Sequence, residues 1–209
     1  MQVHVVDTSN AYDYLPQLEQ FFRERHRVYA DELKWVPTSP DGLERDQFDT
    51  PAATYLLVME GTELIGGSRM ITTDRPHLVS EVFPEIFTRA PIVRDPLVVE
   101  WTRGFIVAGM REGAGLAIKG KCCAAVMEYC LNHGYRQVGG IQDAKWLAIW
   151  RRMGWSVHIH GDPVDIGGED WLPAYFDVTH EALMGARKWG RLIGPILVDT
   201  RPAQFTRVA

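Results

Sequence analysis

LVVEWTRGFIV, residues 97–107, is the segment of this 209-residue chain on which the fold assignment rests. Its β-branched and aromatic residues predict a central strand. Buried strands rarely contain charged residues, yet this one includes Glu100 and Arg103. Side chains alternate along a strand, so these two should lie on opposite faces unless a bulge at Gly104 redirects them. Two charges in a core strand need partners or a function.

Helical and strand patterns alternate on both sides of this segment. Apolar residues at helical spacing predict helices, and short β-rich runs predict strands. The predicted helices span residues 15–31, 116–132 and 145–153, and the predicted strands span 55–59, 64–71, 138–141, 157–166 and 175–178. This order predicts an α/β fold, a three-layer α-β-α sandwich with a mixed sheet. Neither a repeat nor a Ser/Gly-rich linker divides the chain, so residues 1–209 are predicted to form one domain.

The composition restricts the classes of function. Lysine plus arginine number 22 and aspartate plus glutamate 27, a formal net charge of −5 that argues against nucleic-acid binding. Without an apolar run of membrane-spanning length or a signal-peptide pattern, the sequence predicts a cytoplasmic protein that does not bind membranes. The 3 cysteines and 7 histidines lack metal-ligand spacing, so no metal site is predicted.

Further charged residues surround the predicted core. Arg25 falls on the apolar stripe of the first predicted helix, where it needs an acidic or anionic partner unless only its stem is buried. The Pro- and Gly-containing loop 36–51 contains Glu44, Asp46 and Asp49 among apolar residues. These acids either fold inward or form a solvated loop. Arg69 lies in the second strand of the predicted hairpin.

Together these groups would suit a ligand with an amine and a carboxylate. Trp35 adds an aromatic face that could hold a sulfonium by cation–π attraction, although it could also be a core residue. A second possibility for Glu100 is a buried ion pair with Arg25 or Arg69.

This pattern resembles the autoinducer synthases that make acyl-homoserine lactones. The matching residues, in the order of the family, are Arg25, Tyr29, Trp35, Glu44, Asp46, Phe48, Asp49, Arg69, Glu100, Thr102, Arg103 and Phe105. They cover about half the chain. The sequence departs from the family at Tyr29, where phenylalanine is more usual, and in residues 142–147, which lack the serine or threonine of relatives that use 3-oxo acyl chains.

The resemblance implies an N-acetyltransferase-like fold in which an acyl thioester enters between two splayed strands, residues 97–107 and 138–141. It implies acyl transfer to the amine of S-adenosylmethionine, lactone closure, release of methylthioadenosine and no tightly bound cofactor. The residues expected at the reacting groups are Glu100, Arg103, Asp46 and Asp49. Those expected to bind S-adenosylmethionine are Arg25, Tyr29, Trp35, Glu44, Arg69 and Phe105. Glu100 is the expected base because burial of a carboxylate raises its pKa, whereas an arginine partner would lower it.

The expected acyl donor is acyl-CoA, with an acyl-carrier protein as the alternative. Arg111, Gly113 and Gly115 precede a predicted helix and could present backbone N–H groups to a pyrophosphate, or form an ordinary turn. The thioester site is expected to include Trp101, Thr102 and Trp146. Bulky tryptophans there favour a short, branched or aryl acyl group, unless they are core residues. The rival functions are an ordinary N-acyltransferase and a non-catalytic ligand sensor.

Overall fold

The computed structural model describes residues 1–110 and 115–201. In these residues nine strands form one mixed sheet, in the order β6-β8-β5-β4-β3-β2-β1-β9, with β7 paired to β8. The strands are β1 Gln2–Val6, β2 Thr54–Glu60, β3 Glu63–Thr72, β4 Val98–Ile106, β5 Gln137–Asp143, β6 Val157–Ile159, β7 Val164–Ile166, β8 Glu169–Asp177 and β9 Leu197–Val198. The helices are α1 Leu15–Arg25, α2 Leu78–Val82, α3 Gly115–Asn132, α4 Leu147–Arg152 and α5 His180–Gly190.

Two hydrophobic clusters cover the two faces of the sheet. On one face, residues such as Val99 and Val138 pack with α3, α4 and α5, and on the other, Leu57 and Phe105 pack with α1. The helices α3 and α5 cross at Gly120, where an added Cβ would lie 2.5 Å from the backbone nitrogen of Gly190. The predicted three-layer α-β-α sandwich is confirmed. Within the described part of the chain, every helix is too short or too polar to cross a membrane.

Several elements differ from their predicted form. The first predicted helix contains a π-helical segment, His26–Glu32, directly after α1. The single strand predicted over 157–166 is two short strands, because the interruption at 160–163 includes Pro163, which has no N–H for a ladder. The predicted elements also omitted β1, β9, α2 and α5. β9 has two residues and α2 five, too few to show a periodicity, whereas α5 is an amphipathic helix of 11 residues that the sequence analysis overlooked.

The sheet opens between its two central strands. β4 and β5 run parallel, and their paired residues extend only from Val98–Gln137 to Glu100–Gly139. Beyond that point β4 stays paired with β3, while β5 stays paired with β8 as far as Asp143. The strands therefore diverge in a V, as the family resemblance implied.

A β-bulge in β4 redirects its charged residue. Gly67 of β3 pairs with Phe105 and Arg69 with Thr102, so β4 carries one extra residue between these pairs. Arg103 has a φ of 54°, a left-handed conformation that side-chain-bearing residues rarely adopt. The bulge brings the Arg103 side chain onto the face that Thr102 and Phe105 share.

Candidate active site

Three arginines meet three carboxylates on the α1 face of the sheet. Arg25 ends α1, Arg69 belongs to β3, and Arg103 occupies the bulge of β4. Their acidic partners come from the irregular loop that follows the π-helical segment: Glu44, Asp46 and Asp49. We call these six residues the charge cluster. It assembles side chains from four parts of the chain separated by up to 78 residues, 103 minus 25.

Arg25 lies fully buried in the charge cluster. Its Nε donates to Glu44 Oε2 at 2.5 Å, while Nη1 and Nη2 donate to the two oxygens of Asp49 at 2.8 and 3.0 Å. The side chains of Glu44 and Asp49 are only 5% and 4% exposed. The alternatives of a surface arginine and a solvated acidic loop are therefore wrong.

Asp46 joins the other two arginines. It accepts from Arg69 Nη1 at 2.5 Å and Nη2 at 3.1 Å, and lies 2.9 Å from Arg103 Nη2. Arg103 Nη2 also lies 3.2 Å from Glu44 Oε1. Each carboxylate thus contacts at least two arginines, and the three negative charges balance the three positive ones.

The pairing favours the ionised forms of Asp49 and Arg25. Burial by itself raises the pKa of Asp49, but the charges and hydrogen bonds of Arg25 and Arg69 outweigh burial and hold that pKa well below its usual range. Burial disfavours the charged form of Arg25, yet Asp49 and Glu44 raise its pKa further. Asp49 is therefore a poor proton acceptor at neutral pH.

Tyr29 supports the bulge from the π-helical segment. Its hydroxyl donates to the carbonyl oxygen of Gly104 at 2.9 Å, and the Arg103 guanidinium lies 5.2 Å from the centre of its ring. Burial raises the pKa of Tyr29 to about 12, so the hydroxyl remains a donor. Trp35 lies 5.9 Å from the Tyr29 ring, which extends the aromatic surface beside the charge cluster.

Glu100 is separate from the charge cluster. It is fully buried, and its two carboxylate oxygens accept hydrogen bonds from the backbone nitrogens of Leu78 and Val79, at 3.0 and 2.8 Å. Burial is the largest influence and raises the pKa of Glu100. Within residues 1–110 and 115–201, the ion pairs of Arg25 and Arg69 are with the loop acids instead. The predicted alternative of an ion pair with these arginines is therefore wrong.

A cavity of about 1240 Å³ connects the charge cluster with the opposite face of the sheet. It borders both strands of the V and continues past α3. Lining residues on the cluster side include Tyr29, Trp35, Glu44, Asp46, Thr102, Arg103 and Phe105. On the α3 side the lining residues include Trp101, Cys122, Cys123, Trp146 and Trp150. The cavity therefore contains the three residues expected at the thioester site, Trp101, Thr102 and Trp146.

Some predicted residues fall elsewhere, and some lining residues were not predicted. Arg111 and Gly113 lie outside the described residues, and Gly115 is the first residue of α3. Trp171 of β8 packs edge-on against Trp35 with ring centres 4.9 Å apart. The Lys119 ammonium lies 4.3 Å from the centre of the Trp146 ring.

The sequence offered only weak signals for these two lining residues. Trp171 follows a Gly-Gly turn, and Lys119 lies in a helix of mostly apolar residues. Among the residues described, no three histidine, cysteine, aspartate or glutamate side chains are arranged to hold a metal ion.

The open sheet with helices on both faces is the N-acetyltransferase fold. A Lactobacillus plantarum protein assigned to the N-acetyltransferases superposes with a TM-score of 0.54 at 11% identity, covering 86% of this chain and 100% of its own. The model of the autoinducer synthase family matches residues 10–184, and the chain belongs to that family.

Two more specific likenesses agree with this assignment. An isovaleryl-homoserine lactone synthase of Bradyrhizobium diazoefficiens is 35% identical over 182 residues, 87% of this chain and 82% of that protein. The CoA-dependent acyl-homoserine lactone synthase BjaI, solved with SAM and isopentyl-CoA and also with MTA, has a TM-score of 0.89. It is 32% identical, with coverage of 97% of this chain and 95% of that one. The chain is an acyltransferase, an acyl-homoserine-lactone synthase that makes a quorum-sensing signal.

Proposed function

We propose that this enzyme transfers a short or branched acyl group from acyl-CoA to the α-amine of S-adenosylmethionine. The substrate's own carboxylate then attacks its γ-carbon, which closes the lactone and releases methylthioadenosine. The observation that carries this proposal is the cavity through the V, which connects a charged, aromatic site with a tryptophan-lined one. The similar enzymes support the same pairing, since one is an isovaleryl-homoserine lactone synthase and the other was solved with SAM and isopentyl-CoA.

The charge cluster suits S-adenosylmethionine because its own charges cancel. A zwitterionic amino-acid group can add one positive and one negative charge without leaving a net charge buried. Arg103 and Asp46 both line the cavity and provide a guanidinium for the carboxylate and a carboxylate for the amine. Tyr29 and Trp35 also line the cavity, and we expect their rings to bind the sulfonium, whose positive charge is attracted to aromatic faces.

Glu100 is the residue we assign as the base. Its raised pKa and its lack of an arginine partner among the described residues favour proton uptake, in contrast to Asp49. Leu78, whose N–H binds Glu100, lines the cavity, so the carboxylate lies one residue behind the cavity wall. We therefore expect the amine proton to reach it through one water molecule.

The α3 side suits a compact acyl chain. The bulky rings of Trp101, Trp146 and Trp150 reduce the length available in the cavity. Lys119 lies in the same wall and adds a positive charge on the side where the phosphates of CoA would enter.

We also place the reaction in the cytoplasm, where S-adenosylmethionine and acyl-CoA are made, and we treat the whole chain as one catalytic domain.

The test incubates purified protein with S-adenosylmethionine and a matched panel of acyl-CoA and acyl-carrier-protein thioesters. Methylthioadenosine release and product mass are followed together. We expect one methylthioadenosine per lactone, with isovaleryl-CoA or another short acyl-CoA turned over fastest. Turnover restricted to acyl-carrier-protein thioesters would overturn the donor assignment. Thiol release without methylthioadenosine would overturn the acceptor assignment.

A further inference from the structure

Beneath α2, Glu100 faces a group of buried polar atoms behind the cavity wall to which Leu78 belongs. The groups around its carboxylate are the N–H groups of Leu78 and Val79, His77 at the start of α2, and Tyr175 of β8. Arg69 of β3 adds a more distant positive charge while directing its Nη atoms to Asp46. We call Glu100, His77 and Tyr175 the α2 compartment. Its chemistry differs from that of the charge cluster because its carboxyl group, that of Glu100, forms no ion pair with an arginine of the described residues.

Strand register brings Tyr175 towards Glu100. Glu100 pairs with Gly139 of β5, and Gly139 pairs with Tyr175, so the three residues form one row across the sheet. Adjacent strands are about 4.8 Å apart, which separates the outer two backbones by roughly 10 Å. A Cβ on Gly139 would lie only 2.8 Å from Tyr175 Cδ1, so the tyrosine ring covers this glycine.

The neighbouring glycine leaves room for the acid. A Cβ on Gly140 would lie 3.1 Å from Glu100 Cγ, closer than ordinary side-chain contacts. The Gly139–Gly140 pair thus provides the space in which Tyr175 and Glu100 approach each other. Larger residues at these positions would separate them.

Tyr175 has a hydroxyl suited to donate to this acid. The residue is fully buried, and among the described residues its Oη has no hydrogen-bond partner. Burial, followed by the charge of Glu100, raises the pKa of Tyr175, so the hydroxyl keeps its proton. Each Glu100 oxygen accepts one backbone N–H and retains a second lone pair. Buried polar groups are nearly always hydrogen-bonded, which makes these two groups natural partners.

We propose that Tyr175 is a positioning residue for Glu100, donating a hydrogen bond from its hydroxyl to the ionised carboxylate, directly or through one water molecule. This inference rests on the proposed function, in which Glu100 is the base. The bond favours the ionised form of Glu100, which is the form that accepts a proton. As the nitrogen of the neutral α-amine bonds to the thioester carbon, Glu100 takes one proton from that nitrogen, the C–S bond breaks to leave the amide, and Glu100 passes the proton to the departing thiolate.

The first test measures kcat/KM against pH for the wild type and Tyr175→Phe, which removes only the hydroxyl. Loss of a donor to the ionised form makes Glu100 easier to protonate, so the acidic limb should move up by about 0.5 to 1 pH unit. Below the limb kcat/KM should fall about 3- to 10-fold, and above it the variant should approach the wild-type rate. KM for both substrates should stay unchanged.

A second variant should move the acidic limb of the pH profile in the opposite direction. Replacing Tyr175 by 3-fluorotyrosine keeps the ring and strengthens the hydroxyl as a donor, so the acidic limb should move to lower pH. This variant also keeps the test decisive should Tyr175→Phe fail to fold. The matched control is Tyr129→Phe, which removes a buried tyrosine hydroxyl on α3, outside the compartment. Tyr129→Phe should leave the acidic limb of kcat/KM at the wild-type pH.

An acidic limb that stays in place in both Tyr175 variants, or moves the same way in both, would overturn the assignment of Tyr175. The wild type and Glu100→Gln separate this from the proposed function. A wild-type enzyme that releases no methylthioadenosine, or a Glu100→Gln variant with an unchanged rate and profile, would remove the function or the base. Neither result depends on Tyr175.

Discussion

The charge cluster and the α2 compartment each contain a charged residue of β4, and these two residues are only three positions apart. They differ in how a buried charged group is stabilised. Arg103 belongs to a cluster in which three guanidinium groups pair with three carboxyl groups. Glu100 is buried against backbone N–H groups, and its pKa is raised. A fixed ionic framework can bind a zwitterion, whereas a carboxylate of raised pKa can exchange a proton. Under the proposed function, β4 contributes Arg103 to substrate binding and Glu100 to proton transfer.

The largest expected effect comes from breaking the charge cluster at its centre. Arg25→Ala leaves Glu44 and Asp49 buried without their main partner, because both bond to the same guanidinium. We expect a loss of roughly 3 to 5 kcal/mol in the free energy of unfolding, measured by urea denaturation. The control is Arg23→Ala, which removes an exposed helical ion pair with Glu19 and should cost roughly 0.5 kcal/mol or less. Similar losses in the two variants would contradict the buried network.

The second largest effect is expected from removing the carboxylate of Glu100, the proposed base. Glu100→Gln should lower kcat by about 100-fold or more while KM for both substrates changes little, since the cavity wall is preserved. Methylthioadenosine release gives the rate, and thermal unfolding checks that α2 keeps its place. The control is Glu81→Gln on the exposed side of α2, which should be nearly as active as the wild type. A wild-type kcat in Glu100→Gln would show that Glu100 only anchors α2.

The two regions should also respond to pH in opposite directions. The pKa of Asp49 is lower in the folded protein than its ordinary value of 3.8, so its stabilisation is present above that value and is lost as pH falls below it. Asp49→Asn should therefore flatten the acid-side loss of stability, by on the order of 2 kcal/mol. Urea denaturation from pH 6 down to about pH 2 measures the effect.

Glu100 should give the reverse slope. Its folded pKa is raised above the ordinary value of 4.5, so stability is greatest below that value and falls as pH rises through the folded pKa. The same urea series extended to pH 9 should show a flatter alkaline side in Glu100→Gln than in the wild type. Equal slopes in the two proteins would mean that folding does not raise the pKa of Glu100.

The smallest effect concerns the bulge itself. Tyr29→Phe removes the hydrogen bond to the Gly104 carbonyl but keeps the ring beneath Arg103. We expect a loss of about 1 kcal/mol in the free energy of unfolding and a modest rise in KM for S-adenosylmethionine. A large fall in kcat with an unchanged KM would instead place Tyr29 in the chemical step.

The order of residue types along the chain predicted the sandwich and the mixed sheet, and it grouped the six residues of the charge cluster together with Glu100. Strand and helix periodicities are local, so they can be read without knowing what packs against them. The buried arginine on the apolar stripe of α1 and the acids among apolar loop residues needed partners, and they supply one another. The resemblance to the autoinducer synthases, based on those same residues, is confirmed by the family match.

Only the tertiary structure decided how the residues of β4 divide between the two regions. Strict alternation placed Arg103 opposite Thr102, and the bulge, braced by Tyr29 from a π-helical segment, brought them to one face. The arginines considered as partners of Glu100 pair with the loop acids instead. Glu100 accepts hydrogen bonds from the backbone of α2, a helix too short for the sequence pattern to reveal. Such outcomes depend on competition among distant groups for the same buried partners, and that competition is settled only when the chain has folded.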